Sequence, residues 1–432
     1  MLAAAFRRED FDLEAVELAV RSVALNAGAV ALGQFMDQAG AAVSRGTVTC
    51  PKCRCAMEGA GQRGKQILTM LGPTRYSRAC YRCPQCRRAR YPGDEALDLV
   101  KTSRSPGVRR QTARLGAKEP FHEVAADLRE LAGLDVSRKD AERVAEGVGA
   151  DIEIQDRRER RALRVAPPPP PETPKTIETI YIEMDGTGVP MTGRETAGRK
   201  GKQPDGSAKT REVKLGCVFT QTGVDAQGRP ARDPGSTTFT GAIEDAAAFG
   251  QRIYAEAVRR GLYQARRVIV IADGAQWIHN LVSTHFPMAT RIIDLYHAKE
   301  HVSELCKALF SNEALIQGCR ERWWDFLAQG RVEAIIEEAS QYLPQHPSAN
   351  KDARDQLRYL GNNKDRMRYN LYQEQGLFIG SGVVEAACKN LVGKRLKQSA
   401  MKWTVRGANS IIALRCNILS NRFTDYWDSR AA

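Results

Sequence analysis

Three acidic residues, Asp185, Asp273 and Glu385, stand where their carboxylates can converge. Asp185 follows the strand-like run TIETIYIEM, and Asp273 follows RRVIVIA, so each closes a predicted strand. Glu385 follows Gly380, Ser381 and Gly382 at the opening of a predicted helix. Carboxylates gathered without an evident cationic partner repel one another unless a metal balances them. Mg²⁺ or Mn²⁺, hard cations that take oxygen ligands, suit such a set. Two ions roughly 4 Å apart would activate an attacking oxygen and stabilise a leaving one in a phosphodiester displacement. Glu183 alternates with Asp185 on one strand face and is a rival ligand. Asp294 and His297 close the next strand, as supporting groups or extra ligands. Each acid has a plainer reading, since Asp-Gly is a common turn and a Glu near a helix start favours the helix dipole. Their joint placement at strand ends favours catalysis.

A second set is thiol-rich. Cys50-Pro51-Lys52-Cys53 and Cys83-Pro84-Gln85-Cys86 are two C-x-x-C knuckles, and four thiolates make a closed, structural zinc site. Between them KQILTM and TRYSRACYR flank Leu71-Gly72-Pro73, a hairpin signal of zinc-ribbon type. Cys80 offers an alternative knuckle with Cys83, and Cys55 is a further thiol. Cys217, Cys306, Cys319, Cys388 and Cys416 are scattered and expected to pack in cores. Clustered thiols fit a reducing compartment better than a disulfide scaffold.

Charge points to the partner. The 432 residues carry 65 Lys+Arg against 51 Asp+Glu, a net +14, which favours a polyanion such as double-stranded DNA. PFHEVAADLRELAG, LDVS and RKDAERVAEGVG read as helix, turn and second helix, with Ser137 as N-cap. If this is a helix-turn-helix, Arg138, Lys139 and Arg143 face phosphates or bases. RSPGVRRQTAR upstream reads as a basic loop or arm. After Glu385, the residues Lys389, Lys394, Arg395, Lys397, Lys402, Trp403 and Arg406 form a basic stretch expected to line the approach to the metals as an extension of the same helix.

These elements imply an order. Residues 1–45 read as an N-terminal helical segment, 46–100 as zinc-ribbon-like, 105–162 as helix-turn-helix, and 163–176 as a stiff linker around Pro167–Pro171 and Pro174. From 177 to 432 come three strands, a helix, a strand, a helix, a strand and a helix, then a helical insertion over about 298–375. That is the order of an α/β, ribonuclease H-like core: a mixed sheet with helices on both faces. No uninterrupted apolar run reaches the ~20 residues of a membrane span, so no membrane partner is expected.

The blocks YIEMDGTGVPM, KLGCVFTQT, DPGSTTFTGAIEDAAAFG, VIVIADGAQWIHNL, IIDLYHAKEH, GSGVVEAACKNLVGKRLKQSAMKW and ANSIIALRC resemble transposases of the ISKra family of bacterial insertion sequences. The resemblance runs from Cys50 to the Arg422-Phe423 region. It implies a DDE transposase with Asp185, Asp273 and Glu385 as the triad, and His297 in the D-x-x-H pattern of related enzymes. It further implies two Mg²⁺ or Mn²⁺ ions, strand cleavage and transfer at terminal inverted repeats, target DNA, and a homo-oligomer assembled on DNA in the bacterial cytoplasm at the nucleoid. Arg54 departs from the pattern, standing where a Gly usually follows the second knuckle Cys. A ribonuclease H-fold nuclease, or a lapsed transposase kept as a DNA-binding regulator, would use the same residues.

Overall fold

The structure, a computed structural model, describes residues 12–43, 47–165, 177–343, 350–398 and 400–431. The proline spacer expected at Pro167–Pro171 and Pro174 lies outside the described residues. The chain divides into two units, Met1–Val148 with Thr424–Ala432, and Gly149–Phe423.

The first unit opens with helix α1 (Leu13–Val43). Gly33 lets α1 lie against the ribbon, because a Cβ there would sit 2.6 Å from the carbonyl oxygen of Arg75. From Leu13 to Ala39 the helix is long and apolar enough to cross a membrane by length and composition. This corrects the expectation that no such segment exists. Isolated charges such as Glu17 and Arg21 interrupt the apolar run without lowering its average enough to disqualify it. Strands β1 (Glu58–Thr69) and β2 (Gly72–Arg82) form the hairpin, closed by the pair Thr69–Gly72, with Gly72 at φ 102°. The short β3 (Ala89–Arg90) adds to β2. Buried Asp94 braces the ribbon, accepting from the Tyr76 hydroxyl at 2.6 Å and from Lys65 at 2.9 Å, with Arg78 on the same oxygen at 2.5 Å.

Three helices follow: α2 (Pro106–Gly116), α3 (Phe121–Ala132) and α4 (Arg138–Val165). Val108, Val124, Leu128, Leu134, Val136 and Ala141 make their common core. The basic segment read as an arm is therefore helix α2. Ser105 caps it, its Oγ accepting from the Val108 amide at 3.3 Å, and Pro106 takes the first turn, where its missing N–H costs nothing. Gly133 ends α3 in the left-handed conformation, and Ser137 caps α4 through the Asp140 amide at 3.1 Å.

The second unit is built on a five-stranded mixed sheet. Its strands are β4 (Ile177–Pro190), β5 (Thr210–Gln221), β6 (Thr238–Ala242), β7 (Ala265–Ala272) and β8 (Thr290–Ile293). They lie in the order β8-β7-β4-β5-β6. The β4-β5-β6 meander is antiparallel, while β4-β7 and β7-β8 are parallel. Alternation along β4 sends Ile180, Ile182 and Met184 to one face, where α5 (Ala246–Arg259) and α6 (Gln276–His285) cover them. Tyr181 and Glu183 point to the other face. There α7 (Leu295–Leu309), α8 (Glu313–Ala328), α9 (Val332–Tyr342), α10 (Asn350–Asn363) and α11 (Tyr369–Glu374) pack around Trp323 and Tyr369.

Two expectations change. β4 does not end at Asp185 but runs on to Pro190, because β5 stays paired with it along that whole length. The basic stretch is not one extended helix. Helix α12 (Gly382–Ala387) passes into a π-helical turn over Cys388–Gly393 and a short helix at Lys394–Leu396, and only then comes α13 (Val405–Leu419).

Candidate active site

Asp185 and Asp273 stand close together just past the end of the ladder between β4 and β7, near enough for the charge of Asp273 to act on Asp185. The parallel register pairs Ile177 with Ala265 and ends by pairing Glu183 with Ile271. Two residues on stand Asp185, still within β4 and on the face that carries Glu183, and Asp273, the first residue after β7. Ile293 pairs with Ala272, so Asp294, one residue on, stands beside Asp273. Here β4 parts from β7 while keeping β5 as its partner.

Glu385 reaches this edge on α12, which is fastened by two buried carboxylates. Asp294, 1% exposed, accepts from the Ser381 amide, from Ser381 Oγ at 2.9 Å, and from the His297 amide at 2.7 Å. It thereby caps α7 and holds the loop before α12 at once. Glu183, 0% exposed, accepts from the Val384 amide at 2.9 Å, one residue before Glu385. Burial pushes the Glu183 carboxyl up to about 8, beyond what the Val384 bond offsets. The Cys217 thiol also points at it, at 3.8 Å. Both residues thus act through the backbone that carries Glu385.

Asp185 is held from both sides. Its Oδ1 accepts from the Gly186 amide at 2.6 Å, and its Oδ2 from the Cys388 thiol at 3.3 Å. Burial raises its pKa, and the charge of Asp273 raises it further against the pull of these bonds. Asp273 accepts from the Ala275 amide at 2.9 Å, and its carbonyl accepts from the Tyr359 hydroxyl at 2.8 Å. Tyr359 stacks on His301, whose ring meets that of His297 edge-on. His297 Nδ1 lies 3.4 Å from Glu300. Glu385 is exposed, with Ser381 Oγ 3.4 Å from its Oε1. Among the described residues the three acids do not form a closed ligand cluster; only the four thiols do.

Cys388, expected from the sequence to pack in a core, bonds Asp185 instead. Its signal was its place three residues after Glu385, on the same helical side. Tyr359 and Ser381 were not singled out, and their roles depend on long-range folding.

The basic residues separate into two kinds. Lys389, Lys394, Lys397, Lys402 and Arg406 are exposed, and Lys397 Nζ donates to Thr187 Oγ1 at 2.5 Å, just past Asp185. Arg395 and Trp403 are buried, with the guanidinium 5.1 Å over the indole ring and the indole N–H donating to the Leu396 carbonyl at 3.1 Å. They hold the segment rather than face a ligand, which corrects their expected place on a DNA track. In the first unit Arg138, Lys139 and Arg143 are exposed, Lys139 paired with Glu142 at 2.9 Å and Arg143 with Asp140 at 3.0 Å.

Cys50, Cys53, Cys83 and Cys86 bring their sulfurs within 4.8 Å of one another. The pairs Cys50–Cys86 and Cys53–Cys83 each stand at 3.4 Å, near the ~3.8 Å edge of a tetrahedron with zinc–sulfur bonds of about 2.3 Å. Backbone hydrogen bonds at Cys53 and Lys52 pull the Cys50 thiol down to about 6 and that at Cys86 lowers the Cys83 thiol, while Cys53 and Cys86, sharing protons with them, are raised. The geometry fits a structural zinc. Cys80 is buried outside this cluster, and Cys55 donates to the Cys53 carbonyl at 3.7 Å.

No protein-family model matches the chain, and no curated protein matches it. Among solved structures it is similar to a chain titled "Drosophila P element transposase strand transfer complex", at a TM-score of 0.27 and 10% identity, covering 77% of this chain and 82% of that one.

Proposed function

We propose that the chain is a DDE transposase of ISKra type, with a ribonuclease H-like core that cuts and joins DNA at the terminal inverted repeats of an insertion sequence. One observation carries the reading: Asp185 and Asp273 stand close together at the carboxyl edge of the sheet, and Glu183 and Asp294 fasten the helix of Glu385 to that same edge. Asp185, Asp273 and Glu385 would hold Mg²⁺ or Mn²⁺. Bound there, a divalent ion supplies Lewis-acid stabilisation of phosphoryl oxygens and lowers the pKa of an attacking water or hydroxyl. The protein's own part is to hold Asp185 and Asp273 close together at the sheet edge and to anchor the helix of Glu385 beside them. Asp185 in particular carries unfavourable burial and repulsion that a cation relieves.

Lys389, Lys394, Lys397, Lys402 and Arg406 would guide the DNA backbone past the acids, while the helices around Arg138, Lys139 and Arg143 would dock the duplex ends. Processing two ends calls for at least two protomers on the DNA, acting in the bacterial cytoplasm. The test is purified protein with labelled terminal-repeat duplex and Mg²⁺. Nicked and joined products are expected, and cleavage that survives Asp273→Ala unchanged would overturn the assigned site. Nicking without joined products would leave a nuclease.

A further inference from the structure

Each thiol knuckle places an arginine where the backbone calls for glycine. Arg54 has φ 60° and Arg87 has φ 57°, in the left-handed region that side chains disfavour. The turn demands it. The Arg54 amide donates to the Cys50 carbonyl at 3.0 Å and the Arg87 amide to the Cys83 carbonyl at 2.9 Å, closing both knuckles alike. The Cys86 amide meanwhile points at Cys83 Sγ, at 3.5 Å. Glycine takes such a position without steric cost. The strained choice is made at both knuckles and with the same side chain, which directs attention to the guanidinium groups themselves.

Both arginines are exposed, as are Lys52 and Arg88 beside them. Among the described residues no ion pair or side-chain hydrogen bond ties any of these four side chains. Elsewhere in the ribbon, by contrast, Lys65 and Arg78 are bound to Asp94 and Arg90 to Glu95. A zinc tetrathiolate has two net negative charges, and four cations exceed them. The surplus sits at the metal end of the ribbon.

We infer that Arg54 and Arg87, with Lys52 and Arg88, form a phosphate clamp at the metal end of the ribbon that grips the backbone of double-stranded DNA without reading its sequence. The inference rests on the DNA-processing reading above and gives the ribbon a contact surface of its own. The strained turns fix where the two side chains leave the backbone, and each guanidinium can take a phosphate with paired N–H donors.

The experiment uses full-length protein and a fluorescent random-sequence duplex of about three helical turns, titrated across a salt series. The wild type and the double variants Arg54→Gly/Arg87→Gly and Arg54→Lys/Arg87→Lys are compared, with bound zinc and the melting temperature measured for each. The glycine variant should keep one zinc per chain and melt no lower than the wild type, since its turns are relaxed. It should bind at least about tenfold more weakly near 0.1 M salt, and its log K against log salt slope should be shallower by about 2. The lysine variant should keep most of the slope, because the charge remains. If the glycine variant loses zinc or melts early, the arginines serve the metal site and the clamp is refuted. Unchanged affinity and slope with zinc retained also refute it, while leaving DNA binding elsewhere intact. If the wild type itself does not bind the duplex, the DNA reading fails instead.

Discussion

Asp185 and Asp273 stand two residues beyond the last paired positions of adjacent parallel strands, Glu183 and Ile271, where the charge of one raises the pKa of the other. The residues just before them, Met184 and Ala272, are buried on the opposite face, and Asp185 cannot turn away without breaking the alternation of β4. A desolvated acid kept next to another acid lowers stability, and removing one should show it. Asp185→Asn and Asp273→Asn are expected to melt no lower than the wild type, yet to lose Mg²⁺-dependent cleavage by at least about a hundredfold. Calorimetry and a cleavage assay on the same preparations check both halves. A variant that unfolds, or one that still cuts, contradicts the assignment.

Asp294 joins two elements that are far apart in the chain. Asp294→Ala would strand three donors in the interior, the Ser381 amide, Ser381 Oγ and the His297 amide. Each orphaned donor costs about 1–3 kcal/mol, so a loss of roughly 3 kcal/mol or more is expected in denaturant titration. Ser381→Ala removes one hydroxyl donor and should cost no more than about 1 kcal/mol. Hydrogen exchange should localise the damage in the alanine variant at Asp294 to α12 and the start of α7. Uniform loosening of the unit would argue against a local clamp.

Much of this was legible in the sequence, for identifiable reasons. Strand period, the Ser137 cap and C-x-x-C spacing are local, so β4 to β8, the start of α4 and the thiol cluster could be read directly. Residues far apart in sequence were less legible. That Cys388 bonds Asp185, or that Tyr359 bonds the Asp273 carbonyl, depends on the helices between them folding back. Arg395 and Trp403 misled because a run of cations looks like a surface, and nothing local marks which member turns inward. The π-helical turn after α12 has no sequence signal of its own. Ser105-Pro106 did carry a helix-start signal, and the surrounding arginines obscured it.

Zinc removal tests the first unit. The four sulfurs of Cys50, Cys53, Cys83 and Cys86 are the cluster, so Cys83→Ser should abolish stoichiometric zinc, whereas Cys80→Ser and Cys55→Ser should each retain it. A chelator should collapse the ribbon while leaving the sheet of the second unit protected from hydrogen exchange. Loss of zinc in the Cys80 variant would transfer the ligand role to the alternative knuckle.

Glu256, 3% exposed at its side chain, meets Arg422 at 2.5 and 2.9 Å and Arg259 at 2.6 Å. Burial alone would raise its pKa, but the Arg422 hydrogen bonds and the charges of Arg259 and Arg422 outweigh it and hold the carboxyl below its ordinary value of 4.5. A carboxylate with a depressed folded pKa stabilises the protein above its unfolded pKa and loses that contribution as pH falls through the folded value. Glu256→Gln, which keeps the shape and removes the charge, should therefore cost about 3–5 kcal/mol near neutral pH, the usual penalty for breaking a buried pair. That gap should hold down to about pH 4.5 and shrink below it, as the wild-type carboxyl takes up a proton and comes to resemble the amide. Urea titrations of both proteins on either side of that window measure the gap. A difference that stays constant into strong acid would mean that packing, not charge, is what the substitution disturbs.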